Sequence, residues 1–457
     1  MTRGEDPELQ PKRKVLQLAT PIAKAYVERE RRKRHEPEPS PLLSREAFSG
    51  QGCLHLREEE NDKGILVVNG SVIVHLNPTS LFYLLPMFQG DDDEKILRKV
   101  TRTFKVRTAI ARQDLADLKA DIERIEQGLA PMRGTRVEPL SVSGIGPFRA
   151  DLTITYRCRP SEVLPHGSPR ELTVDEWIKA LDNLWNFGVP HVCITGGEPT
   201  LREDLVDIIE HASALGMMVG LLTDGERLSS NAFRGRLMDA GLSYVQVSLA
   251  SDDATIHAKV LGTPDHAKTV NGIEHCLKDS TPVLVNIPIT KESEYSVEGT
   301  VERLVMMGVR FITVNALDLG DQTAPEWLVA KALERARKAA RGRARIFYFG
   351  PVCGKAPFRQ APGETEIISE LALGDLEWGA GLVSLHLHSD GAVTAGRAHG
   401  AVLGNVLTHS WNMIWYHSLL KEVRAKQAEG RRWTALQELG FTGYPLFPGL
   451  KASEGTK

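Results

Sequence analysis

Ala150-Asp-Leu-Thr-Ile-Thr-Tyr156, running into Arg157-Cys158-Arg159-Pro160, and Cys193-Ile-Thr-Gly196-Gly197-Glu198-Pro199 about thirty-five residues later, decide the fold of this chain. The first stretch is β-rich and ends in a polar turn carrying a cysteine. The second ends in paired glycines and a glutamate. From Ala150 to about Leu317 the same alternation continues. Strands are expected at 151–156, 191–195, 218–223, 244–249, 283–289 and 311–316. Helices are expected near 174–187, 203–215, 230–240, 266–277 and 297–307. Thr173-Val-Asp-Glu176 has the form of a capping box and fixes the start of the first helix. Strands alternating with helices of this length imply right-handed βαβ crossovers and a parallel sheet.

The two opening stretches resemble the start of a radical SAM domain, in which the first strand leads into CxxxCxxC and the second ends in Gly-Gly-Glu-Pro. Six strands match that family's partial (β/α)6, TIM-like barrel, with ligands gathered at the C-terminal strand ends. The resemblance implies that Gly196, Gly197, Glu198 and Pro199 approach the methionine amino group of S-adenosylmethionine (SAM). Thr223 and Asp224, in Thr223-Asp224-Gly225, stand where the family usually has Thr-Asn-Gly. Ser248, in Ser248-Leu249-Ala250, closes the fourth strand where the family has Ser-Leu-Asp. Leu261 replaces the arginine of the family's His-Asp-x-x-Arg-Gly. Asn286, within the fifth strand, is a further candidate for a ligand or peptide contact.

The cysteine motif itself is eroded. Cys158 is its one surviving thiol; at the family's spacing the next positions are Glu162 and Pro165. A [4Fe–4S] cluster is held by thiolates, and three are the minimum when SAM takes the fourth iron. Proline has no side-chain donor. Cys158 with Glu162 and His166 suits zinc or iron better than a cubane, and plain surface packing of Cys158 is the simpler reading. The cluster typical of the family is therefore expected to be absent, and SAM to bind weakly or not at all.

Upstream, Gly64–Gly70 and Ser71–Leu76 are short β-rich runs around Asn69-Gly70, a strong hairpin signal. Three helices follow, from about Ser80, from the Asp91–Asp93 cap, and from Gln113. His75-Leu76-Asn77-Pro78-Thr79 resembles the strand-to-helix phrase of PqqD-like peptide-recognition domains; a generic winged-helix-like fold is the alternative. The PqqD-like resemblance implies that a leader peptide adds as a strand, clamped by Val72, Ile73 and Val74 with Leu118 and Ile122 of the third helix. Residues 1–50 read as a charged, flexible arm, 51–130 as this domain, and 131–149 as a linker.

Downstream, Asp390-Gly391, Gly404-Asn405 and Ile414-Trp415 resemble the SPASM or twitch extension of peptide-modifying members, expected over 321–430 with a tail at 431–457. Only Cys353 remains there, where the extension usually carries several cysteines. His386 and His388 share a strand face, a spacing able to ligate metal with His399 or His409.

With 457 residues, 42% hydrophobic, and a net charge of −3, the chain has length for several cores and no global basic field for nucleic acid. Neither a membrane-length apolar run nor a secretion signal is present, and five scattered cysteines make a disulfide framework a poor reading. The location expected is cytoplasmic. The function expected is a pseudoenzyme of ribosomal-peptide maturation, binding a precursor or leader and supporting a catalytically active partner. The rivals are a working SAM-dependent enzyme with an unusual cluster or metal, and a SAM-binding sensor without chemistry.

Overall fold

The computed structural model describes residues 42–50, 52–59, 63–70, 72–127, 129, 132, 144–159, 168–262, 265–316, 324–349, 381, 384–396 and 401–429. Glu162, Pro165, His166, Cys353, His399 and the tail at 431–457 lie outside them. The described residues fall into two compact units, divided near residue 135.

The N-terminal unit is a four-stranded antiparallel sheet with three helices. Its strands are β1 (Leu43–Glu46), β2 (Cys53–Glu58), β3 (Gly64–Val68) and β4 (Val72–Leu76), in that spatial order. The expected hairpin is β3–β4. Asn69 and Gly70 both take positive φ, 52° and 58°, as a tight hairpin turn requires. β1 and β2 extend it, and β1 falls within the stretch expected to be an arm. Helices α1 (Pro78–Phe88), α2 (Asp93–Phe104) and α3 (Thr108–Glu126) follow. Asn77 caps α1 by accepting from Ser80 N–H at 2.8 Å, and Asp92 caps α2 by accepting from Lys95 N–H at 2.7 Å. Leu54, Leu56, Leu66, Val68 and Leu76 form the apolar sheet face of a core shared with Leu81, Leu84, Ile96, Leu97, Leu115 and Ile122.

The second unit holds one ten-stranded sheet. Seven parallel strands run in sequence order: β5 (Arg149–Thr155), β6 (His191–Gly196), β7 (Met218–Thr223), β8 (Tyr244–Ser248), β9 (Val283–Ile289), β10 (Phe311–Ala316) and β11 (Arg345–Phe349). Between them lie α4 (Val174–Asn186), α5 (Leu205–Ala214), α6 (Asn231–Asp239), α7 (Ala254–Leu261), α8 (His266–Lys278), α9 (Val297–Met307) and α10 (Glu326–Ala340). This is the radical SAM α/β fold expected from the sequence, with β11 as a seventh parallel strand. On the opposite edge β12 (Ser384–Leu387) adds parallel to β5 and continues antiparallel into β13 (Ala392–Thr394) and β14 (Val402–Asn405).

The segment expected as a SPASM- or twitch-like extension continues the barrel's sheet and core. Val393, Leu403, Trp411, Ile414 and Trp415 pack in the same hydrophobic cluster as α4. The Phe187 and Trp411 rings stack at 4.9 Å, and Trp415 Nε1 donates to Gly144 O at 3.0 Å. Helices α11 (Trp411–Trp415) and α12 (Ser418–Glu429) complete this part.

Alternation along the strands sorts the two faces. Leu152, Ile154, Val192, Ile194, Val219, Leu221, Val245, Val247, Val285, Ile287, Ile312 and Val314 pack in the core with the helices. The residues between them (Thr153, Cys193, Gly220, Gln246, Asn286 and Thr313) face the concave side. Its lower end is filled. Gly220 lies opposite Tyr244, so the tyrosine ring crosses β7 and brings its Oη within 2.9 Å of His191 Nε2. A Cβ at Gly220 would lie 2.2 Å from Tyr244 Cζ. Arg149 and Asp151 pair beside it, Nε to Oδ1 at 2.6 Å. Burial pushes the Cys193 thiol up to about 12, leaving it an inert filler.

Gly220→Ala should overpack this plug and cost about 1–3 kcal/mol in denaturant unfolding. Combined with Tyr244→Ala, it should cost almost nothing further. Full additivity of the two would show that the ring does not depend on the missing Cβ.

Candidate functional site

The mouth is built from the ends of β5, β6 and β7. Gly196 takes φ +149°, and a Cβ there would lie 2.2 Å from Thr155 O; one on Gly197 would lie 2.1 Å from Arg157 O. The two glycines let the end of β6 close onto the exit of β5. Gly197 N–H donates to Thr155 O at 2.9 Å and Glu198 N–H to Arg157 O at 2.7 Å. The glycines that the sequence reading assigned to a close approach thus make one to the backbone of the β5 exit.

This staple aims Glu198 inward. Its side chain is 2% exposed and accepts four hydrogen bonds. Oε1 takes Thr200 N–H at 2.9 Å, Thr200 Oγ1 at 2.5 Å and Thr223 Oγ1 at 2.8 Å; Oε2 takes Asp224 N–H at 2.7 Å. Burial, then the nearby Asp224 charge, push the Glu198 carboxyl up to about 7 against these donors. Pro199 starts a short 3-10 turn that carries Thr200 into position.

Arg159, leaving β5 one residue after Cys158, reaches the same place. Its Nε lies 2.7 Å from Asp224 Oδ2 and 3.3 Å from Glu226 Oε2. The turn presenting these acids is fixed by Gly225 at φ +80° and by Thr269 Oγ1 donating to Asp224 O at 2.8 Å. Beneath, Glu171 accepts from Thr155 Oγ1 and from Arg157 Nη2, the latter at 2.7 Å. Buried Arg202 donates to Ile154 O and Leu172 O, each at 3.0 Å, and pairs with Asp204. Sequence reading missed Arg159, Glu171, Arg202 and Glu226. The available signal was charge, with Arg157-Cys-Arg159 and Asp224-Gly-Glu226 of opposite sign at adjacent strand ends.

On the far side of the mouth Ser248, Asn286 and Thr313 stand side by side on β8, β9 and β10. Among the described residues Asn286 Oδ1 and Thr313 Oγ1 are buried without a hydrogen-bond partner, so the lumen holds polar atoms suited to a polar ligand. Leu261 ends α7 and adds no charge. Cys158 is exposed, with Sγ 3.4 Å from Tyr156 O.

These residues do not fit an iron–sulfur cluster. Cys158 is exposed at the β5 exit, whereas Cys193 is buried in β6 and Cys276 in α8. Among the described residues no three His, Cys, Asp or Glu side chains are grouped to hold a metal. At this mouth Asp224 and Glu226 both engage Arg159.

The remaining candidates are placed as follows. His386 Nε2 lies 3.0 Å from Thr153 Oγ1, and His388 sits between Tyr156 Oη (2.6 Å) and Thr394 Oγ1 (3.1 Å). The two rings are 4.8 Å apart, as the shared face predicts, with hydroxyl groups at His386 Nε2 and at both His388 nitrogens. His409 is exposed and bonds Asn405 N–H through Nδ1 at 3.2 Å. In the N-terminal unit Val72, Ile73 and Val74 are half-buried on β4, the sheet's edge. Ile122 is 2% exposed and belongs to the core, with Leu118 half-buried against it. The helical repeat that singled out Ile122 also puts it on the inward stripe with Leu115 and Ile125.

Residues 156–304 match the Radical SAM superfamily. The PqqA peptide cyclase of Rhodopseudomonas palustris is 33% identical over 165 residues, 34% of this chain and 43% of that protein. That of Bradyrhizobium diazoefficiens is 30% identical over 225 residues, 45% and 58%. A "Probable GTP 3',8-cyclase" of Methanopyrus kandleri is 36% identical over 162 residues, 34% and 51%. The chain thus spans about half the length of these curated relatives. They are named for a peptide and for a nucleotide, so the similarity speaks for a shared barrel and not for one substrate. Among solved structures, Streptococcus suis SuiB bound to S-adenosylmethionine aligns with TM-score 0.55 at 14% identity, over 84% of this chain and 92% of that one. SuiB bound to precursor peptide SuiA aligns with TM-score 0.52 at 13% identity, over 85% and 90%. At such identity the likeness is one of fold, which here is the radical SAM fold.

Glu198 supplies a test of this geometry. Its native carboxyl titrates near 7 against an ordinary 4.5, so between those values the folded chain holds a proton that the unfolded chain has released. Stability therefore falls as pH rises through this window. Urea unfolding from pH 5 to 8 should show that fall, and Glu198→Gln should flatten it. An unchanged slope in the variant would place the titration elsewhere.

Proposed function

We propose that this chain serves the maturation of a ribosomally made peptide, binding the precursor or its leader and supporting a catalytically complete partner enzyme. The observation that carries this reading is the donor set at the β5 exit. Reductive cleavage of SAM needs an electron from a cluster held by three thiolates, and the exit offers the single exposed thiol of Cys158. A barrel with its scaffold phrases kept and its ligands gone is a pseudoenzyme, and its remaining use is binding.

A peptide role draws support from the relatives named as PqqA peptide cyclases and from SuiB, solved with its precursor peptide. The N-terminal unit supplies a surface for it. β4 ends the sheet order, and a leader adding there as a fifth strand would satisfy its outward N–H and C=O groups, in the manner of PqqD-like domains. A second reading, a sensor that holds SAM without chemistry, is favoured by the unpartnered Asn286 Oδ1 and Thr313 Oγ1.

Fluorescence anisotropy with a labelled leader peptide from the gene neighbourhood tests the recognition role. Outward and inward N–H groups alternate along β4, so of Ile73→Pro and Val74→Pro one removes an edge donor and the other breaks the ladder to β3. Both should weaken binding at least about tenfold, worth roughly 1.4 kcal/mol. Charge reversal at the exposed Lys105 should leave it unchanged. Full-strength binding by both proline variants would remove the β4 edge from the account.

A further inference from the structure

Arg159 stands where the erosion of the cysteine motif has its largest electrostatic consequence. Its side chain is 11% exposed, and those of Asp224 and Glu226 are 9% and 8% exposed. The guanidinium also feels the charge of buried Glu198. A cation this enclosed is costly unless paired, and three carboxylates this enclosed are costly without a cation. Each side of the arrangement therefore requires the other. The surrounding turn is built to keep it: Asp265 N–H donates to Glu226 Oε1 at 3.2 Å, and Gly272 brings α8 against Gly225, where a Cβ would lie 2.4 Å from Gly225 O.

We infer that Arg159 is a tethered cation that closes the mouth of the barrel: it holds the strand-end carboxylates that a positively charged cofactor would need, and so sets how weakly this chain takes such a molecule. SAM, with an ammonium and a sulfonium, is the molecule most affected, and S-adenosylhomocysteine, without the sulfonium, is affected less. The choice of SAM as probe rests on the radical SAM reading of the barrel. The exclusion itself rests on charge and burial, because a ligand cation must displace a guanidinium that is covalently attached and already desolvated. The uncharged Leu261 on α7 offers the ligand's carboxylate nothing in return.

Isothermal titration calorimetry on the full chain tests this, with thermal unfolding to show that each variant is folded. Arg159→Gln, which keeps size but not charge, should bind SAM at least about tenfold tighter than the unaltered chain. Arg159→Ala should gain at least as much, and S-adenosylhomocysteine should gain less than SAM in both. Arg159→Lys, still a cation, should stay as weak as the unaltered chain. Equal affinity in the Gln variant and the unaltered chain would overturn the inference, and so would a gain in Arg159→Lys matching that of Arg159→Gln. Leader-peptide binding is read separately in the N-terminal unit, so loss of either result leaves the other standing.

Discussion

Two backbone hydrogen bonds, Gly197 N–H to Thr155 O and Glu198 N–H to Arg157 O, set the geometry on which the rest of the mouth depends. They draw the end of β6 onto the exit of β5, and only residues without a Cβ allow the approach. Glu198 is thereby buried among four donors, Thr200 is turned to meet it, and Asp224 is held by its backbone N–H. The strand ends become one hydrogen-bonded assembly instead of separate loops.

Charge completes that assembly. Arg202 and Arg157 hold Glu171 below, while Arg159 bridges Asp224 and Glu226 above. In the radical SAM fold the segment after the first strand is organised by iron bound to three cysteines. Here the described part of that segment, through Arg159, is fastened by ion pairs to the third strand's turn. These ion pairs tie the strand ends together through the chain's own side chains. Away from the mouth, Tyr244 is laid over Gly220 and reaches His191.

Much of this was legible in the sequence, for physical reasons that can be named. β7, β9, β10 and α9 have the bounds that alternation and capping predict, because apolar runs and turn residues such as Gly308 mark their ends locally. Asn69-Gly70 declared its hairpin in the same way. What was not legible depends on partners far along the chain. β12 joins β5 across more than two hundred residues, a pairing that no local pattern announces. β1, Leu-Ser-Arg-Glu, has too little apolar character to announce itself and is a strand because β2 pairs with it. The partners of Arg159 lie 65 residues and more away, and no local pattern foretells which acids a lone arginine will meet.

The central claim is that ion pairs, and not an iron–sulfur cluster, organise the mouth of this barrel. Iron and sulfide analysis of protein reconstituted anaerobically, with its visible absorbance spectrum, tests it most directly. The account predicts iron far below one cluster per chain and the same spectrum for Cys158→Ala. About four irons and four sulfides per chain, with a broad brown absorbance lost in Cys158→Ala, would contradict it.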